Sequence, residues 1–188
     1  EMNRGEWRHP LNLGQLYLGN ISIKWNRTKN YYESWRKYNK FTGGGVLILQ
    51  TIHYIDLLLW IFGDVKSVYG KIETKLHTID DEDTAVAVLK FKSGAIATIE
   101  STTTVVKNLK DKLEVHGNKG SIILEGNKAF NKIKTINLEK NIIRKKLISY
   151  FKFKRGSIKN QIEDFVDSIN YNRTPFITGI DGKKALQV

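Results

Sequence analysis

The sequence predicts an α+β domain in which helices cover one face of a large, mostly antiparallel open sheet. Three observations carry that prediction. Residues 65–138 are dominated by β-branched segments separated by tight turn signals. A long apolar segment, 46–62, stands before them, headed by Gly43-Gly44-Gly45 and closed by Gly63-Asp64. After the strands a helical period returns at 157–170. Strands in one block and helices on either side of it suit a helix-on-sheet layer arrangement.

The elements follow in order. Residues 16–26 alternate as a strand, with Ile21, Ile23 and Trp25 on one face. Residues 30–42 are aromatic and polar without a period and read as a loop excursion. The 46–62 segment is too long for a strand; Gln50, Thr51, His53 and Asp56 interrupt it, which favours a buried helix of a soluble domain over a membrane span. Strands are expected at 65–76, 84–92, 95–105, 112–116, 121–124 and 132–138. Ser93-Gly94 and Gly117-Asn118-Lys119-Gly120 supply hairpin turns, and tight turns require antiparallel neighbours. In the 157–170 helix Ile158, Ile162, Phe165, Val166 and Ile169 form one stripe, ended by Arg173-Thr174-Pro175. A last helix opens at Thr178-Gly179-Ile180-Asp181, with Asp181 as the expected cap.

Composition bounds the function. The 188 residues suit one domain, with 1–15 as a variable lead-in; the 40% hydrophobic and 27% charged content is that of a soluble globular chain. With no cysteine, disulfides, thiolate metal sites and a cysteine nucleophile are excluded. Glu1-Met2-Asn3-Arg4 leads into no apolar signal region, and a cytoplasmic location is expected. The net charge of +12 raises the question of nucleic acid. The lysines are nevertheless scattered along the chain, one or two at a time, and are densest only between Arg144 and Arg155, so a basic nucleic-acid-binding module is the less favoured reading.

Trp35-Arg36 ahead of the triple glycine, then Gln50, then His53-Tyr54-Ile55-Asp56-Leu57-Leu58, together resemble the glucose–fructose oxidoreductase, inositol dehydrogenase and MocA (Gfo/Idh/MocA) family. Glu82-Asp83-Thr84-Ala85, Ser93-Gly94, Gly117-Asn118-Lys119-Gly120-Ser121 and the closing Gly182-Lys183-Lys184-Ala185-Leu186-Gln187-Val188 match in the same order. Within the family the chain is most similar to 3-dehydrogenases of UDP-linked N-acetylated uronic acids. The resemblance implies the C-terminal, substrate-side domain of an NAD- or NADP-dependent enzyme acting on a sugar or sugar nucleotide. It also implies a homo-oligomer formed through the open sheet. The dinucleotide-binding half is not in this sequence: no G-x-G-x-x-G follows a strand, and the family's Glu-Lys-Pro motif is missing. Tight NAD or NADP binding and turnover are therefore not expected of this chain alone.

Site residues follow from the same match. His53 stands at the family's active-site histidine, and an imidazole can relay the proton of a hydroxyl as hydride leaves the same carbon. Gln50, three residues earlier, is a candidate substrate-hydroxyl partner; Asp56, three later, more simply a structural hydrogen-bonding group. Arg27, Tyr31 and Tyr32 are candidates for the charged and ring portions of a substrate, and Trp35 and Arg36 match a pair near the cofactor in relatives. Leu49 departs from the family, which carries Asp or Asn there; an aliphatic group can neither accept a proton nor bind a hydroxyl. The alternative is accordingly a non-catalytic sugar-binding or assembly domain. Asp80-Asp81-Glu82-Asp83 lacks the spacing of a calcium loop and reads as a solvated turn, and His9, His77 and His116 lack ligand spacing, so no metal is expected.

Overall fold

The computed structural model describes residues 13–126, 132–137 and 158–188. The lead-in up to residue 12, the basic stretch from Arg144 to Arg155 and Leu138 lie outside the described residues.

Seven strands form one sheet in the order β2-β3-β4-β1-β5-β6-β7. They are β1 Leu16–Lys24, β2 Val65–Glu73, β3 Thr84–Phe91, β4 Ile96–Thr102, β5 Asp111–Gly117, β6 Gly120–Gly126 and β7 Lys132–Ile136. Every neighbouring pair is antiparallel except β1 with β4, where Ile21 sits opposite Ile99 in a parallel register. The hairpin signals at Ser93-Gly94 and Gly117-Asn118-Lys119-Gly120 give the pairs β3–β4 and β5–β6. The parallel pair has no local signal, because its crossover is the whole stretch from residue 25 to 95, which leaves the sheet after β1 and returns at the edge as β2.

Between β1 and β2 the chain makes α1 (Lys29–Tyr32), a 3-10 turn (Trp35–Lys37) and α2 (Asn39–Thr42). A single π turn (Leu47–Thr51) then runs directly into α3 (Ile52–Phe62). The stretch expected as a loop is thus a chain of short turns. Asn39–Phe62 is long and apolar enough to cross a membrane by composition, but half of it is buried in the protein. Ile55, Leu58, Ile61 and Phe62 of α3 pack on Ile21, Ile23, Leu89, Phe91, Ala97, Ile99, Leu113 and Leu124 of the sheet. Period-2 alternation in the strands sends these side chains to one face and leaves Leu18, Tyr69, Val86, Val88 and Ile96 exposed on the other. Gly19 is the point of closest approach: a Cβ there would lie 2.9 Å from the Phe62 ring.

The C-terminal helices are α4 (Ile158–Asn170) and α5 (Gly179–Leu186). The stripe on α4 exists, but Ile162, Phe165, Val166 and Ile169 stand exposed. At α5 the cap differs from expectation. Thr178 is the N-cap, and Asp181 is the third helical residue, closing a reciprocal capping box by accepting from the Thr178 backbone N–H at 2.8 Å. The cap thus lies three residues before the carboxylate expected to supply it, and Asp181 is the second member of the box. Lys184 reaches Asp64 at 2.8 Å and ties α5 to the end of α3.

Candidate functional site

The site is organised around the start of the long helix. Glu82, on the loop before β3, accepts from the Leu47 N–H (2.9 Å) and the Gly45 N–H (3.1 Å) with its carboxylate, and from the Val46 N–H (2.9 Å) with its carbonyl. Three donors that a helix start leaves unpaired are satisfied, with negative charge at the positive end of the helix. This docking requires glycine: a Cβ on Gly45 would sit 1.9 Å from the Glu82 carbonyl oxygen.

The acidic run is therefore not a solvated turn. Asp80 accepts from the Asn39 N–H at 3.1 Å, and Asp81 accepts from the Thr42 hydroxyl at 2.9 Å and from the Asn39 side-chain amide. Asp83 is fully buried and accepts from the backbone N–H groups of Lys75 (2.8 Å), Leu76 (2.9 Å) and His77 (3.0 Å) and from the Thr84 hydroxyl (3.0 Å). Burial works to raise its pKa, but these donors together hold the carboxyl below its usual range. The partners of Asp80 and Asp81 lie 39 to 42 residues away along the chain, so no local spacing announced them. Among the described residues no group of three or more His, Asp or Glu side chains is placed to hold a metal.

The π turn gives way to α3 just before His53. Thr51, fully buried, donates to the Val46 carbonyl at 3.1 Å and shares a hydrogen bond with the Ser101 hydroxyl, pinning the turn to β4. Such one-turn widenings recur at functional sites because they re-aim side chains. Gln50, 2% exposed, donates from Nε2 to the Tyr31 hydroxyl at 3.2 Å, and its Oε1 has no hydrogen-bond partner among the described residues. His53 is exposed, Asp56 half-buried and Leu49 half-buried. Gln50 and His53, neighbours in the sequence pattern, thus take different roles: one turns into the protein and the other faces out.

Tyr31 collects the remaining candidates. The Arg27 guanidinium stands 4.9 Å from its ring centroid and 4.7 Å from that of Trp25. The Arg36 guanidinium stands 4.7 Å from the Tyr31 ring and 4.6 Å from Trp35. Arg27 reaches the Asn26 carbonyl at 3.3 Å and Arg36 the Ser34 hydroxyl at 3.5 Å; among the described residues neither pairs with a carboxylate. The buried Arg27 Nε has no partner among the described residues. Residues assigned separately to substrate and to cofactor are thus gathered on one ring, with two positive charges unneutralised. Tyr32 packs edge-on to Tyr31 with centroids 4.9 Å apart, and is buried, its hydroxyl 2.9 Å from that of Thr103. Burial pushes its phenol pKa up.

Behind this stack sits a residue the sequence reading passed over. Asp111, fully buried at the start of β5, accepts from Trp25 Nε1 at 2.5 Å and from the Tyr54 hydroxyl at 2.6 Å. It joins the aromatic that carries Arg27 to the helix that carries His53. An aspartate opening a strand of alternating polar and apolar residues resembles any strand-edge turn residue, so composition gave no sign of it.

Comparison with known proteins bears on the same residues. A myo-inositol 2-dehydrogenase of Thermotoga maritima is 29% identical over 150 residues, which cover 76% of this chain and 44% of that protein. The WlbA dehydrogenase of Chromobacterium violaceum, solved in complex with NADH and UDP-GlcNAcA, superposes with a TM-score of 0.76 at 30% identity, covering 97% of this chain and 51% of that one. The Bordetella pertussis WlbA dehydrogenase, also with NADH and UDP-GlcNAcA, gives 0.74 at 27% identity, covering 93% and 50%. The chain thus spans about half the length of these relatives. The family model for the GFO/IDH/MocA C-terminal domain matches residues 11–123, which include β1, the Tyr31 stack, the Glu82 clamp and α3; the chain belongs to that family.

Proposed function

We propose that this chain is the substrate-binding and assembly domain of an NAD- or NADP-dependent oxidoreductase acting on a sugar or sugar nucleotide, and that it does not turn over by itself. The observation that carries the reading is the pairing of an exposed His53 on a clamped helix with two unneutralised guanidinium groups around Tyr31. The first can exchange a proton with a hydroxyl; the second can hold a carboxylate or phosphate by charge-assisted hydrogen bonds. Both relatives solved with UDP-GlcNAcA bind a ligand that presents hydroxyls and anionic groups together.

Each group has a role in this reading. His53 takes the proton of the reacting hydroxyl on its outward ring nitrogen. Gln50 fixes the Tyr31 hydroxyl and offers its unspent carbonyl to a substrate hydroxyl. Arg27 and Tyr31 receive the charged and ring portions, with Tyr32 packed edge-on behind, and Trp35 and Arg36 form the side turned toward a cofactor.

The chain's own residues do not fit a dinucleotide. The described glycine-led helix start has its N–H groups filled by Glu82, so it cannot cradle a pyrophosphate, and Trp35 and Arg36 supply only a rim. When bound by a partner domain, NAD would accept the hydride. The exposed outer sheet face, with Leu18, Tyr69, Val86, Val88 and Ile96, supports assembly between copies.

Leu49 favours a second reading, a sugar-binding or assembly domain without catalysis. One experiment separates the two. In a chain joined behind a dinucleotide-binding domain, NADH formation is followed with UDP-GlcNAcA for the parent and for His53→Gln. A loss in kcat of about 100-fold or more supports the catalytic role; no turnover in the parent, with binding intact, supports the second reading.

A further inference from the structure

His77 takes no part in that chemistry, yet its side chain is 5% exposed and sits directly behind the Tyr31 stack. Its Nδ1 lies 3.1 Å from Asp83 Oδ2 and its Nε2 2.9 Å from the Arg27 backbone carbonyl oxygen. Both facing atoms are acceptors only. Asp83 is a carboxylate already gathering backbone donors, and a carbonyl oxygen has no hydrogen to give. The ring spans the two, Nε2–H donating to the carbonyl and Nδ1 standing against the carboxylate. The other end of Arg27 is held as well: its N–H donates to the Thr103 carbonyl at 3.1 Å, and the Thr103 N–H donates to the Asp83 carbonyl at 2.9 Å. The Tyr32 ring covers the imidazole at 4.5 Å between centroids, and its hydroxyl meets Thr103.

We propose that His77 is a positioning residue for Arg27. Donating from Nε2 to the Arg27 carbonyl, with Nδ1 against Asp83, it ties the Arg27 backbone to the buried carboxylate and so fixes the guanidinium on Trp25 and Tyr31, where it meets an anionic substrate group. The charged and titratable groups facing the imidazole are Asp83, Tyr32 and the Arg27 side chain beyond its carbonyl. A guanidinium loses a large rotamer entropy on binding an anion, and a fixed backbone with two flanking rings removes part of that cost beforehand. The inference rests on the proposed role of Arg27 in ligand binding.

The test uses this chain and UDP-GlcNAcA as the probe, titrated calorimetrically. His77→Gln keeps one donor but cannot span both acceptors, and its affinity is expected to fall about tenfold. Arg27→Met is expected to fall by at least as much. In the double variant the losses should not add, because His77 acts through Arg27. Additive losses, or full affinity in His77→Gln while Arg27→Met loses it, overturn the inference and leave the Arg27 reading standing. Unchanged affinity in Arg27→Met overturns the Arg27 reading itself, and with it this inference. A second readout needs no variant: nitrogen NMR of the parent chain should find hydrogen on His77 Nε2, held by the Arg27 carbonyl. A bare nitrogen there contradicts the proposal even if the variants fold poorly.

Discussion

Two polar clusters lie back to back in this domain, and they differ in what they leave unspent. Around Asp80–Asp83 every carboxylate is met by donors from α2, from the start of the long helix or from the strand loop. Around Tyr31 two guanidinium groups lack a carboxylate among the described residues, and Gln50 Oε1 and Arg27 Nε lack partners. Buried polar groups in folded proteins are nearly always paired, so a saturated cluster reads as architecture and an unsaturated one as a place kept for something else. The contrast is sharpened by composition: the acidic run looked like surface, and the aromatic stretch looked like a loop.

The comparison can be broken first at the saturated side. Gly45→Ala would drive a methyl group into the Glu82 carbonyl and undo the helix cap, and a loss of about 3 kcal/mol is expected in urea unfolding. A loss below about 1 kcal/mol would mean that the clamp is not needed to seat the helix. Asp83→Asn should cost about 2 kcal/mol, since a buried amide cannot accept from all the donors that converge there. Its pH dependence has a definite sign. A carboxyl held below its usual range contributes stability above the unfolded value near ~4, and that contribution is lost as pH falls further through the folded value. The gap between parent and Asp83→Asn should therefore narrow in acid unfolding series; a gap that widens on acidification would contradict the donor count.

The unsaturated side should respond weakly in stability. Gln50→Leu loses one bond to Tyr31 but also removes an unpaired buried carbonyl, so its unfolding free energy should stay within about 1 kcal/mol of the parent. Losing 3 kcal/mol or more, a size seen when a buried network is broken, would place Gln50 in the architecture instead.

Much of the fold was legible because it is local. The hairpins at Ser93-Gly94 and Gly117–Gly120, the alternation of Ile21 and Ile23, and the stop at Gly63 are short-range signals and all appear in the structure. The parallel placement of β1 beside β4 was not legible, since it depends on a crossover of about seventy residues whose direction no local pattern encodes. The same distinction runs through the site. The family match brought His53, Gln50 and Arg36 into view and included Glu82-Asp83 as a motif, but it did not give the roles of Glu82, His77 and Asp111, whose partners Leu47, Arg27 and Trp25 lie 35, 50 and 86 residues away.

The division between spent and unspent groups is tested most directly at Arg27, by measuring UDP-GlcNAcA affinity and unfolding free energy on the same Arg27→Met sample. Affinity should fall about tenfold or more while stability moves by no more than about 1 kcal/mol, the scale of an exposed cation–π contact. Affinity that holds while stability collapses would show that Arg27 belongs to the scaffold, and the distinction drawn between the two clusters would be wrong.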